Sequence, residues 1–305
     1  MHCELVHVFA DDGLKLDGAL HAPAPEVGTP TNQLQALLVI HGTGSNFYGS
    51  RFLNYLAARA TQSGTACLLV NTRGHDQITT ALVQQPDGTT TSRTIGSAYE
   101  RVDECRLDLR AWVKLLNERG YQRIGILGHS LGAVKTIYAA AHEPLPGVAA
   151  LIAVSPPRLS YAHLLANAPG PHFANDHANA ERLAAEGRPN AIMEVQFPIP
   201  YAITAAGYLD KYGREERYNL LNLVDRLTLP TLFTFGSAEV QQRVASRGFP
   251  EAMEEKKAAG AKLSTVVIAG GDHHYTGVQG DLMNAVQRWL RQKAEWGEGK
   301  VEGTE

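Results

Sequence analysis

The sequence predicts an α/β protein, built as a doubly wound and mostly parallel sheet with an inserted helical cap. Short aliphatic runs recur along the 305-residue chain, amphipathic stretches of helical period lie between them, and a segment of about 70 residues interrupts the alternation. Alternating strands and helices are typical of a parallel sheet with helical crossover connections. The long segment is too large for a loop in a compact domain, so we expect it to cover one edge of the sheet.

Six aliphatic runs are predicted as strands of this sheet. Each is apolar on both faces, as expected of strands that are covered by helices on either side. The runs are ALLVI (36–40), ACLLV (66–70), RIGIL (123–127), ALIAV (150–154), TLFTF (231–235) and STVVI (264–268). The opening VHVFADDGLKLDGALHAP instead predicts an antiparallel hairpin at the sheet edge, turned at Asp11-Asp12-Gly13.

Four helices are predicted from apolar residues that recur every three or four positions. They are FLNYLAARATQ (52–62), AYERVDECRLDLRAWVKLLNERG (98–120), LGAVKTIYAAAHE (131–143) and DLMNAVQRWLRQKAEW (281–296). The acidic residues of the second stretch are predicted to form its solvated face and to pair with neighbouring arginines. These residues are Glu100, Asp103, Glu104 and Asp108.

The same pattern divides the chain. We expect residues 1–157 and 228–295 to form the core, and residues 158–227, with helical patterns around a proline-rich middle, to form the helical cap. The Thr-rich connection 72–96 contains a PDG turn and is predicted as a small hairpin excursion. The charged and glycine-rich end, 296–305, is predicted to be disordered.

Composition and charge argue against several classes of partner. The formal net charge is −3 and no basic block is present, so nucleic acid is not an expected partner. Three cysteines without CxxC spacing favour a reduced compartment, and the start MHCELVHVFADDG lacks the features of a secretion signal. No run reaches the length of a membrane span. We therefore expect a cytoplasmic protein.

Ser130 stands where the strand RIGIL ends and a helix begins, within Gly128-His129-Ser130-Leu131-Gly132. Ligands of parallel sheets collect at the carboxyl ends of the strands. A sharp turn there projects the serine hydroxyl clear of the backbone, and the residues two before and two after it must be small. The start of the following helix favours negative charge beside the hydroxyl. Ser130 is therefore our candidate nucleophile.

A serine nucleophile needs a base and an orienting acid. The loop AGGDHHY follows the last strand, so His273 or His274 lies at a carboxyl end. Glu239 follows TLFTF at the neighbouring end, whereas Asp225 precedes its strand and Asp272 adjoins the histidine in sequence. We expect Glu239 to be the acid.

An oxyanion needs two backbone donors. The N–H of Leu131, directly after the serine, is one candidate. The other is expected in His41-Gly42-Thr43-Gly44, which follows the strand ALLVI; Thr43 is the first choice and Gly44 the second.

Taken together, these motifs resemble the serine-dependent α/β-hydrolases over about residues 5–295. The resemblance rests on HGTG (41–44), GHSLG (128–132), GSAE (236–239) and GGDHH (270–274). It implies the α/β-hydrolase fold and, through a Gly-x-x-His pattern, His273 as the base. Most relatives carry Asp at the position of Glu239, so the longer side chain departs from the family pattern.

The resemblance implies an esterase-like enzyme that needs no cofactor and acts on a small acyl compound. The apolar and aromatic cap favours a mid-sized, partly apolar substrate. Acyl transfer or lactone formation with the same residues is the alternative, and a ligand-binding member without turnover is a third. The triplet Asp272-His273-His274 also suggests metal chemistry, but neither HExxH nor DxD accompanies it, so no metal is expected. The sequence leaves the oligomeric state open.

Overall fold

The computed structural model describes residues 3–24 and 34–294, and its central element is an eight-stranded sheet. The predicted tail, 296–305, lies outside the described residues. The strand order is β1-β2-β4-β3-β7-β8-β11-β12. β2 pairs antiparallel with both β1 and β4, and the remaining pairs of this sheet are parallel. The strands are β1 Cys3–Phe9, β2 Lys15–His21, β3 Ala36–Ile40, β4 Ala66–Val70, β7 Ile124–His129, β8 Val148–Val154, β11 Thr231–Gly236 and β12 Leu263–Ile268. The predicted α/β fold and its edge hairpin are confirmed.

One prediction about the strands is wrong. β12 is not buried on both faces, because it forms the outer edge of the sheet and Val267 is 50% exposed. Its aliphatic sequence gave no sign of this, since an edge strand and a central strand can both be rich in valine and isoleucine.

Helices cover both faces of the sheet. They are α1 Arg51–Gln62, α2 Cys105–Glu118, α3 Leu131–His142, α4 Tyr161–Asn167, α5 His172–Ala185, α6 Ala205–Tyr212, α7 Ser237–Gln242, α8 Phe249–Ala258 and α9 Gln279–Ala294. One apolar cluster joins α2 and α3 to the sheet, and a second cluster joins α1 and α9 to the opposite face. This two-sided burial explains why the central strands are apolar throughout.

The second predicted helix begins later than expected. Residues 98–101 are not helical, and a short 3₁₀ turn, Val102–Glu104, precedes α2. Glu100 therefore lies in a loop, where the spacing of a helix does not decide which way it faces.

Residues 158–227 are mixed in structure. Besides α4, α5 and α6 they contain a hairpin of β9 Ile192–Val195 and β10 Tyr201–Thr204, while 218–227 forms 3₁₀ turns and not a helix. Phe173 and Tyr208 are fully buried and join this segment to the larger core. The structure thus adds a hairpin to the helices that the sequence predicted for this segment. The connection 72–96 forms the expected hairpin, β5 Thr79–Gln84 with β6 Thr90–Ile95.

Candidate active site

Ser130 occupies a tight turn between β7 and α3, and its backbone φ is 58°. Non-glycine residues seldom adopt positive φ, so the turn is strained and must be stabilised by its neighbours. A Cβ at Gly128 would overlap the carbonyl of Gly132, and a Cβ at Gly132 would overlap the carbonyl of Ile40. The Ser130 N–H donates to the Val154 carbonyl at 2.9 Å. Both glycines are therefore required by close backbone approach.

Three side chains from separate strand ends meet in a line. The Nε2 atom of His273 lies 3.0 Å from Ser130 Oγ, and its Nδ1 lies 2.7 Å from Oε1 of Glu239. Both are hydrogen-bond distances. The structure thus brings together the serine, histidine and acid that the sequence predicted.

Glu239 is held at depth. Its side chain is almost fully buried, and it also accepts hydrogen bonds from Ser246 Oγ at 3.1 Å and Ser155 Oγ at 2.5 Å. Burial raises the pKa of Glu239. The hydrogen bond and charge of His273, together with the hydrogen bonds from the two serines, outweigh burial and hold this pKa below its usual value. The N–H of Glu239 also donates to the Gly271 carbonyl at 3.1 Å, which ties the acid to the histidine loop.

The competing residues lie elsewhere. Asp272 accepts the backbone N–H groups of His274 and Thr276, each at 2.9 Å. Asp225 forms an exposed ion pair with Lys256 at 2.5 Å. The ring of His274 lies beside that of His129 in a tilted arrangement, with ring centroids 5.2 Å apart. Within the described residues, no three His, Cys, Asp or Glu side chains converge in the manner of metal ligands.

The loop after β3 lies against the serine. A Cβ at Gly42 would come within 2.9 Å of Ser130 Cβ, so this loop approaches the serine as closely as it can. Thr43 and Leu131 line the same cavity as Ser130. Gly44 is not part of that cavity wall, and a Cβ there would come within 3.1 Å of Ser97 Oγ. Of the three candidate donors, Thr43 and Leu131 therefore line the cavity and Gly44 does not.

His129 lies within GHSLG, but the sequence assigned no role to its side chain. Its Nε2–H donates to the carbonyl of His273 at 2.7 Å, and its ring lies 4.8 Å from that of Phe52. Burial, reinforced by the nearby His273, lowers the pKa of His129 well below its usual value, so the ring is neutral. His129 thus holds the loop that carries His273.

A buried ionic cluster lies behind the loop after β3. Glu100, Lys135 and Lys211 each have side chains no more than 1% exposed. Lys135 Nζ lies 2.5 Å from Glu100 Oε1, and Lys211 Nζ lies 3.8 Å from Glu100 Oε2. Burial raises the pKa of Glu100, but the charges of Lys135 and Lys211 outweigh it, and the net effect lowers the pKa. The predicted solvated face is therefore wrong for Glu100.

The cluster reaches the loop through two further residues. Lys135 Nζ donates to Thr72 Oγ1 at 2.8 Å, and the Thr72 N–H donates to His41 Nε2 at 3.0 Å. His41 in turn donates from Nδ1 to the Gly42 carbonyl at 2.7 Å. Burial and the Lys135 charge lower the pKa of His41 to about 3, so its ring is neutral. A continuous chain of contacts thus orients the peptide that precedes Thr43.

Asp108 departs from the predicted solvated face for a different reason. It is fully buried and accepts from Arg73 Nε at 2.9 Å, and its pKa is raised because burial outweighs the arginine. Asp103, in contrast, forms the expected surface pair with Arg106 at 3.0 Å. Arg73 lies three residues after the end of β4 at Val70, so this buried pair anchors the loop that contains Thr72.

A cavity of about 570 Å³ opens at Ser130. This is within the range of small-molecule sites. Phe197, Pro198 and Tyr212 line it from the 158–227 segment, and Arg243 lines it from the loop after α7. Among the described residues, none of the cavity wall comes from the 72–96 hairpin. No helix in the described part is long and apolar enough to cross a membrane.

Comparisons with known proteins agree with the fold. Residues 37–301 match the model of the alpha/beta hydrolase family. Among solved structures, the chain is similar to the alpha/beta hydrolase GrgF from Penicillium sp. sh18, with 17% identity and a TM-score of 0.69 over 96% of this chain and 99% of that one. It is also similar to Est1E from Butyrivibrio proteoclasticus, solved with ferulic acid bound, with 18% identity and a TM-score of 0.61 over 95% of this chain and 100% of that one.

A third similar structure is the esterase Pf2001 from Pyrococcus furiosus, with 17% identity and a TM-score of 0.57 over 95% of this chain and 92% of that one. At these identities the likeness concerns the fold. A comparison with curated proteins finds no match. The family model, however, spans most of the sequence, from the first central strand through the last helix. The chain belongs to the alpha/beta hydrolase family.

Proposed function

We propose that the protein is a serine hydrolase that cleaves a carboxylic ester or a related lactone, thioester or amide through an acyl-enzyme on Ser130. One observation carries this proposal. Ser130 Oγ, both ring nitrogens of His273 and the buried carboxylate of Glu239 are joined by consecutive hydrogen bonds of 3.0 and 2.7 Å beside a cavity of substrate size. This is the arrangement that activates a serine.

The first half-reaction forms the acyl-enzyme. His273 Nε2 accepts the Ser130 proton as Oγ attacks the substrate carbonyl, and the carbonyl electron pair moves onto oxygen. Glu239 accepts the Nδ1–H of His273 and stabilises the imidazolium that forms. When the carbonyl re-forms, the bond to the leaving group breaks and His273 returns the proton to that group.

Charge on the tetrahedral oxygen needs donors that are already in place. The N–H groups of Leu131 and Thr43 are the proposed pair, because both residues line the cavity beside Ser130. Gly44 is the weaker candidate, since it does not line the cavity. The hydrogen bond from His41 to the Gly42 carbonyl supports the Thr43 assignment by fixing the orientation of the preceding peptide.

Water completes the cycle. It attacks the acyl carbonyl with His273 as base, the ester bond to Ser130 breaks, and the serine recovers its proton. A carboxylic acid leaves. We further propose that residues 158–227 act as a cap that selects the substrate, because Phe197, Pro198 and Tyr212 of this segment form the apolar wall of the cavity. Among the similar structures, one is an esterase and another was solved with ferulic acid bound, which is in keeping with the proposed ester chemistry.

The test is covalent labelling combined with turnover. A fluorophosphonate should label Ser130, and p-nitrophenyl esters of graded chain length should be hydrolysed alongside lactones, amides and thioesters. Ser130→Ala should abolish both signals while the circular dichroism spectrum stays unchanged, because the side chain supplies the nucleophile and little packing. Ser92→Ala, on the exposed face of β6, is the matched control. More than a tenth of wild-type activity in Ser130→Ala would exclude this serine as nucleophile.

A further inference from the structure

The buried ionic cluster contains two lysines for one carboxylate. Lys135 is well satisfied, since it lies 2.5 Å from Glu100 and 2.8 Å from Thr72 Oγ1. Lys211 has weaker partners: Glu100 is 3.8 Å away, and its one hydrogen bond to a described residue goes to Tyr201 OH at 3.3 Å. Its ammonium group carries three donors. Lys211 is therefore the less compensated member of the cluster.

Among the described residues, Glu100 is the one acidic side chain within 4 Å of either lysine. His41, at the far end of the cluster, is neutral because burial lowers its pKa to about 3. The ring of Tyr201 lies 5.3 Å below the Lys211 ammonium and offers a cation–π contact, which stabilises a cation without cancelling its charge. An ammonium group is costly to bury unless an anion pairs with it. Two buried ammonium groups thus share one carboxylate.

Lys211 also belongs to the wall of the cavity that opens at Ser130. Glu239 is the one acidic residue of that wall within the described part of the chain, and its carboxylate is already engaged by His273 and two serines. Arg243 adds a second cation at the exposed rim. Besides apolar and neutral polar residues, the described cavity wall thus contains two cations, Lys211 and Arg243, and one carboxylate that is already paired.

From this arrangement we infer that the substrate carries a carboxylate in addition to the acyl bond that is cleaved, and that Lys211 binds it. The inference rests on the proposed function and specifies its substrate class: half-esters and other monoacyl derivatives of dicarboxylic acids. In this complex the substrate carboxylate supplies the missing counter-charge of the cluster. Desolvated charge-assisted hydrogen bonds of this kind are strong and selective. Lys211 is then a specificity residue, while Ser130, His273 and Glu239 carry out the reaction.

The alternative is that Lys211 merely stabilises the fold. A structural lysine, when replaced, would alter the hydrolysis of charged and neutral substrates alike. A substrate-binding lysine would alter the charged one selectively. The two roles are separated by substrates that differ in charge and hardly in shape.

The experiment compares mono-p-nitrophenyl succinate, glutarate and adipate with their methyl-capped diesters. For at least one chain length, wild-type protein should hydrolyse the anionic half-ester with a kcat/KM about tenfold or more above that of its neutral partner. Lys211→Met keeps the length of the side chain and should lower kcat/KM for the half-ester about tenfold or more, with less than about threefold change for the diester. Ser130→Ala supplies the background rate of each compound.

Two further variants serve as controls. Arg243→Met removes the exposed rim cation and should leave most of the preference, and Lys256→Met removes a surface lysine paired with Asp225 and should change nothing. If Lys211→Met does not fold, Lys211→Arg should retain the preference for the half-ester. The half-ester to diester ratios of kcat/KM in wild type and in Arg243→Met then test the inference. Equal rates for half-esters and diesters in wild type, or a preference lost in Arg243→Met, would overturn the inference while esterase activity stands. Absence of hydrolysis and of fluorophosphonate labelling would instead refute the proposed function.

Discussion

His129 donates a hydrogen bond to the carbonyl oxygen of His273, 2.7 Å away, so the residue before the candidate nucleophile holds the loop that carries the candidate base. The two segments are otherwise far apart in sequence, on β7 and after β12. This contact gives His129 a positioning role. Burial lowers the pKa of His129, so the ring that makes the contact is neutral.

His129→Phe should therefore lower kcat for a p-nitrophenyl ester about tenfold, with KM little changed, since losing one buried hydrogen bond costs about 1.4 kcal/mol or less. The phenyl ring preserves the contact with Phe52. His129→Gln retains a donor and should recover most of kcat. Steady-state kinetics on both variants measure this; equal losses in the two would mean that ring packing, and not the hydrogen bond, positions the loop.

Glu239→Gln should lower kcat by about two orders of magnitude or more, because an amide can donate to Nδ1 of His273 and stabilise the wrong tautomer. Asp225→Asn and Asp272→Asn should each cost less than about tenfold, since their carboxylates contact Lys256 and backbone N–H groups instead. The three rates, measured on one ester, rank the acids. A larger loss at Asp225 or Asp272 than at Glu239 would assign the acid elsewhere.

We also expect Glu239→Gln to change how the stability of the fold depends on pH. The folded-state pKa of Glu239 lies below its ordinary value of 4.5, so the ionised carboxylate stabilises the fold fully above that value and progressively less as pH falls through the lower folded pKa. Glu239→Gln has no such titration. Urea unfolding from about pH 7 to about pH 4 should show the free-energy difference between wild type and variant shrinking on acidification. A difference that grows at acid pH contradicts this assignment.

Glu100→Gln should destabilise the protein by about 3–5 kcal/mol, because it leaves two buried lysines without a counter-charge. Lys211→Met leaves Lys135 and Glu100 as a balanced pair, and we expect it to be neutral or slightly stabilising. Glu118→Gln, an exposed carboxylate 3.7 Å from Lys114, is the matched surface control and should cost about 0.5 kcal/mol or less. Chemical denaturation compares the three; a small cost for Glu100→Gln would show that the lysines are compensated in another way.

The central strands and the serine turn could be predicted because their signals are local. The apolar run Ala36–Ile40 predicts a buried strand by itself. The glycines two residues before and after Ser130 predict a tight turn, because nearby backbone leaves no room for a side chain there. Glu239 could be placed by its strand end, although its hydrogen bonds with Ser155 and Ser246 depend on segments distant in sequence.

The buried charges could not be predicted in this way. Glu100 was assigned to a helix surface by spacing, but it lies before the helix, and its partners Lys135 and Lys211 come from two other elements. One signal was present: Lys135 is a single cation within the otherwise apolar LGAVKTIYAAA. A lysine on the buried side of such a helix needs an acid from elsewhere in the fold. The hairpin within 158–227 was hidden by its prolines, which favour a loop over a strand.

The pairing of β3 with β7 has a consequence for the proposed oxyanion donors. Ile40 is the register partner of Gly128, so paired strands hold together the two ends from which the Thr43 loop and the helix beginning at Leu131 start. The Ile40 carbonyl leaves no room for a side chain at residue 132, and glycine there lets the helix start lie close to β3. Neighbouring strands are about 4.8 Å apart, and the sheet ladder fixes that spacing. The distance between the N–H groups of Thr43 and Leu131 is thus set by backbone geometry. We therefore expect substitutions in the cavity wall to change which substrate binds without moving the proposed oxyanion donors.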